Sequence, residues 1–321
     1  MSSQAKKVYR IHNWKDYNKA LTKRGSITFW FSQDAINKWH TSDPSKKNGR
    51  PRIYSDDAIL CALLIRIVYG LPLRAVQGFL TSLIDLLKLT ILIPSYTQVS
   101  RRAKALEKIL KRLNRKCVRH IVFDSTGLKV YGEGEWKVRK HGKSKRRTWR
   151  KIHLGMNPDS GEIIVSELTE NGCGSGDSEI GKRLLNQVSK GVEKIWGDGA
   201  YDDIEFRRIG KNKGAKVIVP PPRNAILRDE QDAATKERND YIKEIVGLGA
   251  DEEARALWKK LVCYHIRSHA ETTMYRIKQL TGNTLRSRLI ETQRTEACVK
   301  CMIVNKMTEI GMPKSSWSLA A

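Results

Sequence analysis

Two short apolar runs in this chain each end in an aspartate: His120 to Phe123 leads into Asp124, and Lys194 to Gly197 leads into Asp198. Small residues follow each acid, Ser125-Thr126-Gly127 and Gly199-Ala200, and leave the carboxylate accessible. A third acid lies in YHIRSHAETTMYRIK (264–278). On an α-helix turning about 100° per residue, Tyr264, Arg267, Glu271 and Lys278 fall within roughly 60° of one another. Two strand-end aspartates and a helix glutamate suit two-metal phosphodiester chemistry. Hard oxygen ligands favour Mg²⁺ or Mn²⁺, with one ion activating the attacking oxygen and the other stabilising the leaving one. Arg267 would grip a phosphate with its planar fork and Lys278 as a point charge. Plainer readings of the same residues stand beside this one: aspartates that cap turns, and a surface Arg267–Glu271 ion pair of roughly a few tenths of a kcal/mol. Asp177 and Asp202 are competing carboxylates, and both read as helix-start caps.

The elements that must position these acids change period along the chain. After Lys116, His120–Asp124, Thr148–Met156 and Glu162–Leu168 read as strands, the last two joined by a turn at 157–161. A helix from Asp177 to about Val188 follows, then a strand at 194–198, a helix at 202–209 and a strand at 216–219 ended by three prolines. Residues 223–260 are mixed in charge and poorly periodic, an inserted segment, and a last long helix begins near Leu261. Three strands, helix, strand, helix, strand, then helix is the order of an RNase H-like fold: α/β with a mixed central sheet. His153, on the strand beside Asp124, either lines the site or packs in the core.

Before Lys116 the pattern is helical. Ser55-Asp56-Asp57 opens an apolar helix that stops at Gly70 and Pro72. Residues 73–89 form one helix or a pair, and Tyr96–Arg115 forms a third with Val99, Ala103, Leu106, Ile109, Leu110 and Leu113 on its apolar face. Arg101, Arg102 and Lys104 lie mostly off that face. Three helices with a basic last one suit a helix-turn-helix-like DNA-binding module, and a plain three-helix bundle fits the same pattern. Gly49-Arg50-Pro51-Arg52 is a basic turn of the kind that enters a minor groove. The chain therefore divides into a helical module, 1–116, and a catalytic domain, 117–321.

Charge supports that division. The 321 residues carry 60 Lys and Arg against 34 Asp and Glu, a net +26. The first 116 hold 23 basic and 7 acidic residues, +16 of the total. Such an excess points to a polyanionic partner. A second dense strip, Lys129–Lys151, includes Lys137, Arg139 and Lys140 with Trp136 and Trp149 interleaved; it reads as a nucleic-acid contact or as a solvated face. No apolar stretch reaches the roughly 18 residues of a spanning helix. The polar, basic start shows no secretory segment, and six scattered cysteines do not make a disulfide framework. Cys298 and Cys301 lack a second pair for zinc and read as ordinary thiols. No phosphate-binding glycine loop occurs, so no ATP-driven step is expected.

Asp124, Asp198 and the 264–278 run resemble the DDE transposases of bacterial insertion sequences, specifically the insertion-sequence-five family. Its signature at the third acid is Tyr, two residues, Arg, three residues, Glu, six residues, Lys, the spacing of Tyr264, Arg267, Glu271 and Lys278. The likeness runs through Gly49-Arg50-Pro51, Val99–Arg102, DSTGLKVYGEGEWKVRKHG (124–142), Gly197–Tyr201 and Gly311-Met312-Pro313. Cys263, Ile266 and His269 depart from it, standing where Gly, a second Arg and an apolar residue are usual. The resemblance implies a transposase that binds terminal inverted repeats, cuts the ends and joins the 3′ hydroxyl to target DNA. Asp124, Asp198 and Glu271 would be catalytic and hold two Mg²⁺, with Mn²⁺ as substitute. DNA contacts are expected from Arg50, Arg52, Arg101, Arg102, Lys104, Lys137, Arg139, Lys140, Tyr264, Arg267 and Lys278. A homo-oligomer would pair two ends in the cytoplasm, at the bacterial nucleoid. The rivals are an RNase H-like nuclease or resolvase without strand transfer, and a non-catalytic DNA-binding derivative.

Overall fold

The computed structural model describes residues 7–41, 52–113, 117–130, 148–170 and 176–319. The chain forms two compact units, one of Met1–Val99 with Ile303–Ala321 and the other of Ser100–Met302. Beside the expected division at 116/117, these bounds return the C-terminal segment to the first unit and put the basic residues 101–108 in the second.

The second unit is built on a six-stranded mixed sheet. Its strands are β2 (His120–Val130), β3 (Trp149–Met156), β4 (Ile163–Glu170), β5 (Lys194–Trp196), β6 (Lys216–Ile218) and β7 (Thr284–Leu285), and the main path runs β4-β3-β2-β5-β6. β2, β3 and β4 are antiparallel neighbours, while β5 lies parallel to β2 and β6 parallel to β5. Asp124 does not end its strand, as the apolar run suggested. β2 continues six residues further because β3 pairs with it from Val122 to Lys129. On its other edge β2 is paired only at its ends, by β5 from His120 to Val122 and by β7 at Lys129 and Val130. Among the described residues, positions 123–128 have no strand on that edge, and the sheet is split there.

Alternation along β2 sends Ile121 and Phe123 to one face and Val122 and Asp124 to the other. Ile121 and Phe123 pack with Ile180, Leu184 and Leu185 of the helix Asp177–Gln187 and with Phe206 of Ile204–Asn212. Val122 packs with Met156, Trp196, Ile218 and Ala270, the last from the helix Ser268–Thr281. The mixed-charge 223–260 segment holds two helices, Ala233–Gly247 and Glu252–Leu261, capped by Asp232 and Asp251 and joined through Tyr241, Ile245 and Trp258.

In the first unit Ser55 Oγ accepts from the Ala58 amide at 3.1 Å and opens Asp56–Val68, as its sequence position requires. Leu73–Leu86 is a single helix, set at 109° to the one before it. The third helix, Tyr96–Leu113, has only residues 96–99 in the first unit and the rest in the second; it buries Val99, Ala103, Leu106 and Leu110 and leaves Ile109 half-buried. The expectation of an all-α first module is corrected by a two-stranded sheet. β1 (Lys7–Ile11) pairs antiparallel with β8 (Ser315–Leu319) from the far end of the chain, a partner no local pattern could reveal. Asn13 fastens the same junction: its Nδ2 donates to Met312 O at 3.0 Å and its Oδ1 accepts from Lys314 N at 2.7 Å. Among the described residues no single helix is long and apolar enough to cross a membrane; the bent pair Asp56–Val68 and Leu73–Leu86 passes by length and composition only.

Asn13→Ala removes both of these bonds. It should lower the stability of the first unit by about 1–2 kcal/mol, read as a shift in the urea midpoint followed by the fluorescence of Trp14, Trp30 and Trp39.

Candidate active site

Asp124, Asp198 and Glu271 lie within electrostatic reach of one another beside the split in the sheet. Val122 and Trp196 are paired across β2 and β5, so Asp124 and Asp198, each two residues further on, leave adjacent parallel strands at one level and on one face. Asp124 is 8% exposed; its Oδ1 accepts from the Ser125 amide at 2.8 Å and its Oδ2 from Arg267 Nη1 at 2.8 Å. Asp198 Oδ1 accepts from the Ala200 amide at 3.0 Å and caps the 3-10 turn Gly199–Tyr201. Arg267 Nη2 bonds Glu271, whose side chain is 58% exposed. One guanidinium thus bridges the first and third acids.

The electrostatics record the same convergence. Burial holds the Asp124 carboxyl above its usual range; the Ser125 amide and Arg267 pull it down, while the negative Asp198 and Glu271 add to the rise. Burial pushes Tyr264 up to about 12, with Asp198, Asp124 and Glu271 contributing. Burial disfavours the Arg267 charge, yet Tyr264, Asp124, Glu271 and Asp198 outweigh it and raise its pKa.

The helix face drawn from the sequence is corrected in one respect. Tyr264 and Arg267 are not on the α-helix of Glu271 and Lys278 but in a 3-10 turn, Tyr264–Arg267, just before it. The long helix expected from Leu261 is broken because Cys263 takes the left-handed conformation at φ 56°. The break separates the helix Glu252–Leu261 from the turn Tyr264–Arg267, which runs directly into Ser268–Thr281 and carries the arginine that reaches Asp124. Lys278 points to β2 as well, donating to Thr126 Oγ1 at 2.7 Å. Both cations expected to hold phosphate are therefore engaged with the site's own groups.

Other expected residues are placed as follows. Arg101 and Lys104 are exposed and, with Lys108, form one stripe on their helix; Arg102 is half-buried and Arg52 exposed. Trp149 is partly exposed, with Lys129 Nζ 5.6 Å from its ring centre. Arg50, Trp136, Lys137, Arg139 and Lys140 lie outside the described residues. Cys298 and Cys301 are buried, their thiols pushed up to about 11 and about 12 by burial.

Asp177 and Asp202 are not caps. Asp202 is buried between Arg207 and Arg238, and the cap beside it is Asp203, which accepts from Phe206 N at 2.9 Å. Asp177 follows the cap position, Gly176, and accepts from Lys151 Nζ at 2.5 Å and Ser125 Oγ at 3.2 Å. A helix-start aspartate has the same sequence signature whether it caps or reaches across, so sequence alone does not reveal this cluster. His153 belongs to it: 1% exposed, it shares a hydrogen bond with Thr169 Oγ1 at 3.0 Å, and its Nδ1 lies 3.9 Å from Asp177.

Two family models, each described as a transposase DDE domain, match the chain over residues 22–133 and 115–306. The chain belongs to the DDE transposase family. It is thereby an enzyme of metal-dependent DNA cleavage and transfer. Among solved structures it is similar to the piggyBac transposase synaptic complex with hairpin DNA, at 10% identity over 90% of this chain and 75% of that one, TM-score 0.35. It is similar also to the Drosophila P element transposase strand transfer complex, at 12% identity over 92% and 85%, TM-score 0.27, and to the Mos1 strand transfer complex, at 12% over 74% and 81%, TM-score 0.23. Among the described residues no three His, Cys, Asp or Glu side chains form a group that holds a metal as they stand. The donor set of this family member still fits a hard divalent cation. It is all carboxylate oxygen, and a partly buried guanidinium now bridges two of its three members.

Two predictions follow from this geometry. Cys263→Gly should raise stability by up to about 1 kcal/mol, because glycine adopts the left-handed region without the Cβ clash, whereas Cys263→Val should lower it; urea midpoints decide. Burial lowers the His153 pKa to about 4, with Lys151 and Arg183 lowering it further and Asp177 opposing. Between its ordinary value near 6.5 and about 4 the unfolded chain takes up a proton that the folded chain does not, so stability falls as the pH drops through that window. His153→Gln should flatten this part of the stability profile, measured by denaturant titration at stepped pH.

Proposed function

We propose that the chain is the transposase of a bacterial insertion sequence, binding its terminal inverted repeats, cutting its ends and joining the freed 3′ hydroxyl to target DNA. The convergence of Asp124, Asp198 and Glu271 on the split beside β2 carries this reading. The strand order β4-β3-β2-β5-β6, with three antiparallel strands followed by two parallel ones, supports an RNase H-like catalytic domain. Asp124, Asp198 and Glu271 would hold two Mg²⁺, or Mn²⁺ as substitute, which when bound activate the attacking oxygen and stabilise the leaving one. In the first step water attacks the phosphodiester, and in the second the 3′ oxygen does. Each step exchanges one oxygen for another in line at phosphorus, so no covalent link to the protein is needed.

The chain's own groups position these reactants. Arg267, paired to two acids, keeps them from repelling one another, and its planar fork suits a DNA phosphate once those acids have another cation. Lys278 fixes Thr126, next but one to Asp124. Tyr264 stays protonated, a neutral donor beside the carboxylates. The exposed stripe Arg101, Lys104 and Lys108 is a surface proposed for DNA, and the basic run Lys129–Lys151, most of which lies outside the described residues, is proposed as a further contact. The 109° turn between Asp56–Val68 and Leu73–Leu86 suits a helix-turn-helix module. Two protomers would pair two ends, and the enzyme would work at the nucleoid.

Glu271→Gln should abolish end cleavage and strand transfer in Mg²⁺ and Mn²⁺ while leaving end binding near wild type, since glutamine keeps size and helix propensity and loses the charge. Asp251→Asn, a change at a cap, is the control and should keep full activity. Normal turnover by the Glu271 variant would remove it from the ligand set. Cleavage without joining of pre-cut ends to a plasmid target would favour the nuclease reading.

A further inference from the structure

Asp124 and Ser125 point to opposite faces of the sheet, and Ser125 is bonded on both. Its amide donates to Asp124 Oδ1 at 2.8 Å, and its hydroxyl donates to Asp177 Oδ2 at 3.2 Å on the far face. Asp177 is itself held. Lys151 Nζ donates to its other oxygen at 2.5 Å, and it sits in the first turn of the helix Asp177–Gln187, where the dipole favours a negative charge. The β register accounts for the grouping, since Ser125 lies opposite His153 and Gly127 opposite Lys151. Buried His153 closes the cluster, with its Nδ1 3.9 Å from Asp177.

These contacts lie at the stretch of β2 that has no strand on its β5 side. Ladder bonds hold the 124–125 peptide from β3 only, so a side-chain tether is what fixes it against rotation toward the split. We propose that Asp177 is a positioning residue for Asp124, acting through Ser125 across the thickness of the sheet and thereby setting the affinity of the site for its divalent ion. The inference rests on the reading of Asp124 as a metal ligand.

The test is Mn²⁺ binding to the full chain without DNA, read from the loss of the free-ion electron paramagnetic resonance signal, with urea midpoints in parallel. Asp177→Ala and Ser125→Ala should each weaken binding about tenfold or more, the usual effect of losing a group that orients a ligand. The double variant should bind as the single ones do, because both cut the same tether. Asp177→Asn keeps an acceptor for Ser125 and should stay within about threefold of wild type. End binding in chelator should not change. Unaltered Mn²⁺ affinity in Ser125→Ala, or independent losses that multiply in the double variant, would overturn the proposal, and Ser125→Ala decides the matter should Asp177→Ala fail to fold. Asp124→Asn separates the two levels: wild-type Mn²⁺ binding by that variant would sink the site assignment itself.

Discussion

Three carboxylates gathered on one side of a sheet repel one another, and the repulsion grows as water is excluded. Much of the second unit can be understood as the management of that repulsion. Asp124 is buried, flanked by Asp198 and Glu271, and held above its usual pKa. Arg267 supplies the opposing charge, reaching Asp124 with one nitrogen and Glu271 with another. The arginine stands at the end of the 3-10 turn that leads straight into the helix of Glu271, four residues before that acid. Arg267 thus offsets the mutual repulsion of the acids it pairs.

The sheet supplies a rigid frame and a local opening in the same strand. β2 is held along one edge by β3, while on the other edge β5 and β7 take only its two ends. Asp124 lies in the interval. The helix Ser268–Thr281 spans it from the Asp124 face, anchored by buried Ala270, Met274 and Ile277 and tied by Lys278 to Thr126. On the opposite face the helix Asp177–Gln187 contributes the carboxylate that holds Ser125.

The parts that were legible in the sequence are those in which local chemistry decides the outcome. Ser55 marked a helix start, the apolar face of Tyr96–Leu113 marked a packed helix, and alternation marked β3 and β4. Asp124 and Asp198 were legible as a pair because apolar strands followed by small residues read the same in any context. The helix Ile290–Ile310 has no clear signature in the sequence, because Gln293, Thr295, Glu296 and Lys300 break its apolar pattern while being buried. Bonds outside the helix satisfy them: Lys300 donates to the carbonyls of Thr281, Gly282 and Thr284, Glu296 accepts from the Arg286 and Ser287 amides, Thr295 donates to Ala103 O, and Gln293 accepts from Arg150. The break at Cys263 escaped a count of 100° per residue, since such a count assumes the helix it seeks. Asp177 escaped because its partners, Ser125 and Lys151, come from other strands.

The pairing of β1 with β8 sets an order of events during synthesis. Tyr9 and Ser315, hydrogen-bonded in the folded chain, are 306 residues apart. At about 5–20 residues per second the first strand leaves the ribosome roughly 15–60 s before its partner is made. Through that interval the sheet of the second unit can assemble with its acids in place, while the first unit waits for its last strand. A nascent chain, or one cut short by an early stop codon, thus carries the carboxylates without a closed first unit. Synthesis through Ser315–Leu319 is therefore what supplies Lys7–Ile11 with its partner strand.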